Sequence, residues 1–518
     1  MHRIARPARI SSLALILGFA TVQSAAASPL TVAPLTQISG SGPSPFATCG
    51  VGASVPPVPG ETLYVNAEEE PWLDVNPANA SNMIAVWQQD RWSDGGAHGL
   101  VAGVTHDGGT SWTRTFAHFS ACAGGKAANG GNYERSSDPW VSIGPTGIAY
   151  QISLSFDANS ARNGVLVSKS ADGGDTWSEP TSLIRDSGGR DVSYAFNDKE
   201  SITADPTNAS YAYAVWDRFT TPSGTSLASI EGLIHSRSFR EPVWFSRTTD
   251  GGTTWEPARN IYDRSEFNGT IGNQIVVLPN GTLLDFFDEF FVHNNSNNQR
   301  GESISLIRST DKGATWSARS TVVGASLERG AFDPDTGRPI RAEGGIPDVA
   351  VDRNSGKLYA VWQDSRFSGV DEVALSMSSD GGFTWTAPIK VNQTPRNATA
   401  ADEQAFVPQV HVAADGSVAV TYYDFRNNDA SPGVPTDAWI VHCAANCGNQ
   451  ASWGDEARLS SASFDIEQAP SARGPFGFFL GDYEGLTSIG SSFVTAFVQV
   501  NNGNAANRTD VFQTTVSP

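Results

Sequence analysis

The chain has 518 residues and a formal net charge of -20 at pH 7. Such a field repels nucleic-acid phosphates and anionic lipid surfaces at long range, and it disfavours an acidic ligand unless local arginines override it. Hydrophobic residues make up 39 % of the chain and aromatics 10 %, enough apolar material for a large core, which argues against a disordered protein.

From the N-terminus, His2, Arg3, Arg6 and Arg9 form a basic region ahead of a mostly apolar stretch at 10–22. The stretch is too short to span a bilayer, and Ala25, Ala26 and Ala27 before Ser28 offer a small-residue cleavage site. Residues 1–27 therefore read as a secretory signal, with 28–518 exported as one domain to the periplasm or outside the cell. No cysteine follows the apolar run, which speaks against a lipid anchor, and no later run is long enough for a membrane helix. Four cysteines in an exported chain point to two disulfides. Cys443 and Cys447 are near enough to close a small loop, leaving Cys49 for Cys122; zinc is the alternative, although the spacings are not finger-like.

One motif recurs five times, Ser/Thr-x-Asp-x-Gly-x-Thr/Ser-Trp, at 105–112, 170–177, 248–255, 309–316 and 378–385. Its Asp can accept from the turn's own amides, its Gly supplies positive φ, and its Trp packs into the blade and locks the corner. These residues are structural. Between the motifs, alternating stretches such as 138–143 and Tyr213 to Trp216 read as strands, four to a repeat. The expected fold is all-β, a β-propeller of four-stranded antiparallel blades.

Two further repeats lack a clean motif. One runs from Val407 through Tyr423 to Trp453, with Cys443 and Cys447 near the expected corner. The last runs from Tyr483 to Val516 and ends after three strands. Residues 33–38 resemble the fourth strand at 387–391, so the N-terminus is expected to complete the last blade and close the ring. The count is seven blades, or six if the final repeat is an appendage.

In such a blade, first-strand starts and second-strand ends gather on the face opposite the Trp corners, where a scaffold can carry a site. Starts include Glu70, Asp138, Asp198, Glu200, Glu343, Glu403, Asp482 and Glu484. Second-strand ends include Asp90 with Arg91, Asp217 with Arg218, Asp364 with Arg366, and Asp424 with Arg426. Recurring Asp/Arg groups suit bridges between neighbouring blades. Crowded carboxylates raise one another's pKa unless a cation or arginines compensate; a bound calcium is one resolution, and no other cofactor is expected.

Repeated Asp boxes in an exported all-β chain resemble the sialidase (BNR-repeat) superfamily over almost the whole mature length. The resemblance implies an exo-α-sialidase-like glycoside hydrolase. Sialidases carry an Arg-Ile-Pro element whose arginine grips the substrate carboxylate; here Gly345 precedes Ile346 and Pro347. By position, Asp371 resembles the sialidase acid and Arg366 a secondary substrate arginine. Tyr483 beside Glu484 is the nearest match to the nucleophile and its activating glutamate, although neighbours on a strand point to opposite faces.

The expected function is a carbohydrate-active hydrolase with carboxylates at the channel mouth. Candidate catalytic residues are Asp138, Glu200, Asp371, Tyr483 and Glu484; candidate substrate-binding residues are Arg91, Arg218, Arg366, Arg426 and Trp140, with Trp92 a further aromatic platform. The partner is a carbohydrate, with no nucleic acid and no membrane, and the protein is expected to be a monomer. The alternatives are a non-catalytic propeller that binds glycan or protein, and a polysaccharide lyase on the same fold.

Overall fold

The computed structural model describes residues 29–518 apart from 52–60, 159, 188–194, 221–239, 267, 292–300, 343–344, 397–398 and 473–476. The leader at 1–27 and Glu343 lie outside the described residues. Within them the chain is all-β, with three single-turn 3-10 segments, Ala400–Glu403, Gln450–Ser452 and Ile466–Gln468. None of its helices is long and apolar enough to cross a membrane.

Each repeat forms an antiparallel meander. Units one and two run Leu63–Val75, Met83–Trp92, Ala97–Thr105, Thr113–Thr115 and Arg135–Ile143, Ala149–Phe156, Asn163–Ser170, Thr181–Asp186. Units three and four run Ala195–Ala204, Ala212–Thr220, Val243–Thr248, Arg259–Tyr262 and Asn268–Val277, Leu283–Phe291, Gly301–Ser309, Thr321–Ser326. Units five and six run Asp348–Val351, Leu358–Asp364, Glu372–Ser378, Ile389–Lys390 and Ala405–Val412, Val418–Asp424, Pro435–Cys443, Asp455–Arg458. Unit seven supplies Gly485–Ile489, Ser492–Val500 and Thr509–Ser517. Its edge is covered by the chain's other end, with Gln37 opposite Phe512 and Val32 opposite Val516.

The core is divided into layers between units. Val349, Leu358 and Trp362 of unit five pack on Leu284, Phe286 and Leu306 of unit four; Ile202, Ala214 and Trp216 of unit three pack on Tyr150, Ile152 and Val165 of unit two. First strands touch in succession from unit one to unit seven, and Gly485–Ile489 touches Leu63–Val75 in turn.

The five corner motifs share one geometry. In the first, Asp107 accepts from the Ser111 amide at 2.9 Å and its hydroxyl at 2.6 Å, while Thr105 Oγ1 accepts from the Gly109 amide at 3.1 Å. Hydrogen bonds from Ser111 hold the Asp107 carboxyl down at about 2. In the fourth copy Lys312 takes the left-handed position, φ 57°, that glycine holds in the other four. Its ammonium lies 2.7 Å from Asp205 of unit three, a contact a glycine would lack.

In four of the five motifs the Trp reaches beyond its own repeat, whereas Trp112 Nε1 donates to the Gly109 carbonyl of its own turn at 3.1 Å. Trp255, in unit three, meets Tyr150 of unit two; Trp316, in unit four, meets Phe245 of unit three; Trp385, in unit five, meets Phe286 of unit four. Trp177 Nε1 donates to Thr115 Oγ1 of unit one at 3.0 Å. The indole is longer than the corner it sits on, so it reaches the preceding sheet and fastens the two together.

Disulfides join Cys49 to Cys122 and Cys443 to Cys447. The second stands where unit six lacks the motif. Buried Trp453 caps it, with Nε1 donating to the Cys447 carbonyl at 2.9 Å. A feature absent from the sequence reading is a small sheet in which Gly477–Phe479 pairs with Ile340–Arg341 in parallel and with Ser471–Ala472 antiparallel.

Candidate active site

A repeated backbone irregularity builds the site. The register between first and second strands breaks at Glu69/Trp72, Ser137/Trp140, Asp198/Ser201, Ile271/Gln274 and Phe406/Gln409. A residue inside each break has positive φ: Glu70 53°, Asp138 53°, Lys199 48°, Gly272 72° and Val407 51°. A bulge re-aims side chains, and a side chain held at positive φ is strained unless its surroundings fix it. Here they do, through an ionic cluster made by different repeats.

Lys199 is the hub. Its ammonium pairs closely with Asp482 and lies 3.5 Å from Glu70 and 3.6 Å from Asp138. Arg341 reaches Asp482 at 3.0 Å, and Arg91 reaches Glu69 at 3.3 Å. Burial opposes ionisation of Asp482, but Arg341 and Lys199 outweigh it and hold the carboxyl far below the usual range. Burial likewise works against Asp138, and Lys199 prevails, so this carboxyl too is held low. Glu69 and Glu70 are pushed up to about 8, chiefly by burial, with Arg91 and Lys199 respectively acting against the rise.

Lys199, Arg341 and Arg91 thus bring positive charge to these crowded carboxylates. Among the described residues no group of three or more His, Cys, Asp or Glu is placed to hold a metal ion. A lysine flanked by Asp198 and Glu200 does not stand out in the sequence. Aligning it with Glu70 and Asp138, each followed by Pro-Trp, is the signal that identifies it.

Beside the hub lies a small cavity, of about 20 Å³ and open to solvent, with Trp140, Lys199, Glu200, Asn273, Gln409 and Tyr483 in its wall. The rings of Trp72 and Trp140 stack with centroids 3.5 Å apart, and Tyr483 meets Trp140 edge-on at 5.3 Å. The Tyr483 hydroxyl donates to the Pro139 carbonyl at 3.0 Å, and burial pushes its pKa well up. Glu200 is 2 % exposed, and neither of its oxygens has a hydrogen-bond partner. Its pKa is driven well above the usual range, by burial first and the charge of Asp138 second; the backbone amides of Glu200 and Leu154 ease it only slightly, without reaching hydrogen-bond geometry. The structure thus brings Asp138, Glu200, Tyr483 and Trp140 together.

The other predicted residues lie elsewhere. Glu484 turns away from Tyr483 and accepts from the Tyr423 hydroxyl at 2.5 Å in the layer between units six and seven. Asp371 accepts from the backbone amides of Arg329 and Gly330 at 2.9 and 2.8 Å, fixing the chain that leads from unit four to unit five. Trp92 stacks under the Arg135 guanidinium, 4.7 Å from its ring centroid.

The four arginines do not converge. Arg218 of unit three clamps Asp186 of unit two at 2.5 and 2.7 Å, an inter-unit bridge. Arg366 clamps Asp364 and reaches the Ala325 carbonyl of unit four. Arg426 stays within unit six, on Asp424 and Glu456, and Arg91 spans Glu69 and Gln88. Of the four, only Arg91 approaches the hub, where it and Arg341 lie over the ring of Phe479 at 4.6 and 4.8 Å. At the position of the sialidase arginine, a Cβ added to Gly345 would come within 3.0 Å of Asp288 and 3.6 Å of Glu328.

No family model matches the chain. Over 232 residues it is 28 % identical to a xyloglucanase from a Paenibacillus species, a match covering 42 % of this chain and 19 % of that protein's length. Among solved structures it is similar to a Hadza microbial sialidase, with TM-score 0.46 and 15 % identity over 85 % of this chain and 74 % of that one. It is also similar to a sialidase from Streptococcus pneumoniae, with TM-score 0.45 and 10 % identity over 88 % and 94 % of the two chains. For an α-L-arabinanase from Penicillium chrysogenum the TM-score is 0.39, with 12 % identity over 73 % and 92 %.

Proposed function

We propose that the seven repeats are blades of one closed propeller over residues 28–518, exported after loss of 1–27, and that this monomer is a glycoside hydrolase acting on a carbohydrate at the cavity beside Lys199. One observation carries the reading. Asp138 and Glu200, on the first strands of consecutive units, are driven in opposite directions: one is held ionised by Lys199, the other kept protonated by burial and by its neighbour's charge. A pair of carboxyls pushed apart in this way is what acid and base roles at a glycosidic bond require. In this reading Glu200 gives its proton to the leaving oxygen, and Asp138 stabilises charge on the sugar or activates water. The Trp140 ring supplies a flat apolar surface for a sugar face.

The test is reducing-end release from a broad panel of glycans and aryl glycosides by the purified protein. Glu200→Gln and Asp138→Asn should each lower turnover at least about a hundredfold, the range expected for loss of an acid or base, while both variants stay folded at the assay temperature, Asp138→Asn with a lowered unfolding midpoint because it removes a partner of Lys199. Absence of turnover across the panel, or full activity in both variants, overturns the proposal.

A further inference from the structure

We propose that the ligand of this cavity is a neutral glycan that donates hydroxyl hydrogen bonds, and that sugars bearing a carboxylate are excluded. This rests on the reading of the cavity as a sugar site and adds the class of sugar.

The argument is a balance of donors and acceptors. A carboxylate ligand needs donors, best supplied as an arginine fork. The basic groups near the cavity are already engaged: Lys199 by three carboxylates, Arg341 by Asp482, Arg91 by Glu69. The neutral donors each make a bond as well, with a second hydrogen left on each amide nitrogen. Asn273 Nδ2 donates to Asp217, Gln409 Nε2 to the Pro408 carbonyl at 2.8 Å, and Ser201 Oγ to the Asn273 carbonyl at 2.7 Å. Tyr483 donates to Pro139.

The wall residues also carry four buried atoms without a protein partner, and all are oxygens: Asn273 Oδ1, Gln409 Oε1 and both carboxyl oxygens of Glu200. The orientation of the two amides follows from what their nitrogens bind, since an amide nitrogen facing an acceptor leaves its oxygen facing away. Buried acceptors without donors are costly, and a ligand rich in hydroxyls relieves that cost; the proton that Glu200 carries in the hydrolase reading is the one hydrogen this group of oxygens offers in return. Where a sialidase-like arginine would stand, Gly345 instead neighbours the acidic groups of Asp288 and Glu328.

The experiment is a glycan array bearing neutral oligosaccharides beside sialylated and uronate-containing ones, probed with the whole chain and followed by calorimetry on the hits and by product analysis. We expect hits among neutral glycans alone, weakened about tenfold in Gln409→Leu, as loss of one neutral hydrogen bond implies. Asn273→Ser, which keeps a small polar group, provides a second variant should the first fail to fold. Binding or cleavage of a sialylated or uronate glycan overturns the inference and leaves the hydrolase reading intact. Neutral hits that are bound but never cleaved overturn the hydrolase reading and support the inference. Calcium-dependent stabilisation lost in Glu200→Gln would give the free oxygens to a cation and overturn it, and a silent array overturns both.

Discussion

The ammonium of Lys199 stands 3.6 Å from the carboxylate of Asp138, each on a first-strand bulge of adjacent units and each at positive φ. Burial favours the neutral amine, but Asp138, Asp482 and Glu70 together raise the lysine's pKa well above its ordinary value. Removing one partner of such a set leaves buried charge uncompensated. Lys199→Met is expected to cost about 3–5 kcal/mol at pH 7. Asp138 and Asp482 have folded pKa values below their unfolded ones, so their stabilisation is present above the usual Asp range and is lost as pH falls through the folded values. The deficit of Lys199→Met should therefore shrink on acidification towards pH 3. Urea unfolding at several pH values measures this, and a pH-independent deficit would contradict it.

Asp285 presents the reverse case. It is fully buried, neither carboxyl oxygen has a partner, and burial alone drives its pKa well up. Its folded pKa exceeds its unfolded one, so this side chain is tolerated best at low pH and destabilises the fold increasingly as pH rises above the unfolded value. Asp285→Ala should stabilise the protein by about 1–3 kcal/mol at pH 8, the cost of one unsatisfied buried group, and by much less at pH 4. Denaturant titrations at both values decide it.

The two disulfides should differ in weight. Cys49–Cys122 closes a separation of 73 residues and Cys443–Cys447 one of 4. Chain-entropy scaling gives about 4 kcal/mol for the first and about 2 kcal/mol for the second. Cys49→Ser with Cys122→Ser should therefore lower the unfolding midpoint more than Cys443→Ser with Cys447→Ser. The opposite order in calorimetry would show that the short loop acts through Trp453 packing instead.

The corner tryptophans should behave as fasteners between sheets. Trp316→Ala leaves its own turn hydrogen bonds in place, since those come from Asp311 and Ser309, but removes the contact with Phe245 at 5.4 Å. The expected loss is about 3 kcal/mol, the low end for truncating a packed tryptophan. Trp316→Ala combined with Phe245→Ala should cost less than the sum of the two single losses. Strict additivity would show that the contact carries no coupling.

Much of the fold is legible because its signals are local and repeated. Five corner motifs, a cystine in place of the sixth and a matching N-terminal strand mark the sheets. The direction of each Trp was not legible, because a turn motif does not say which sheet its ring reaches. The small sheet of Ile340–Arg341, Ser471–Ala472 and Gly477–Phe479 joins segments far apart in sequence with no shared pattern. At the site, acidic residues at first-strand starts were visible individually. That Asp138 and Glu200 fall together, while Asp371 and Glu484 serve loops and layers, depends on a bulge that composition does not reveal. The recurrent Asp/Arg groups suited inter-unit bridges, and Arg218 makes one; Arg426 closes on its own unit, on Glu456 of that unit's fourth strand.

Thr36 and Gln37 pair with a strand that lies at Thr509–Ser517, far along the chain. During synthesis they must wait, unpaired, until that distant segment has been made. Their pairing then closes a loop that spans seven repeats, the kind of closure that slows folding most.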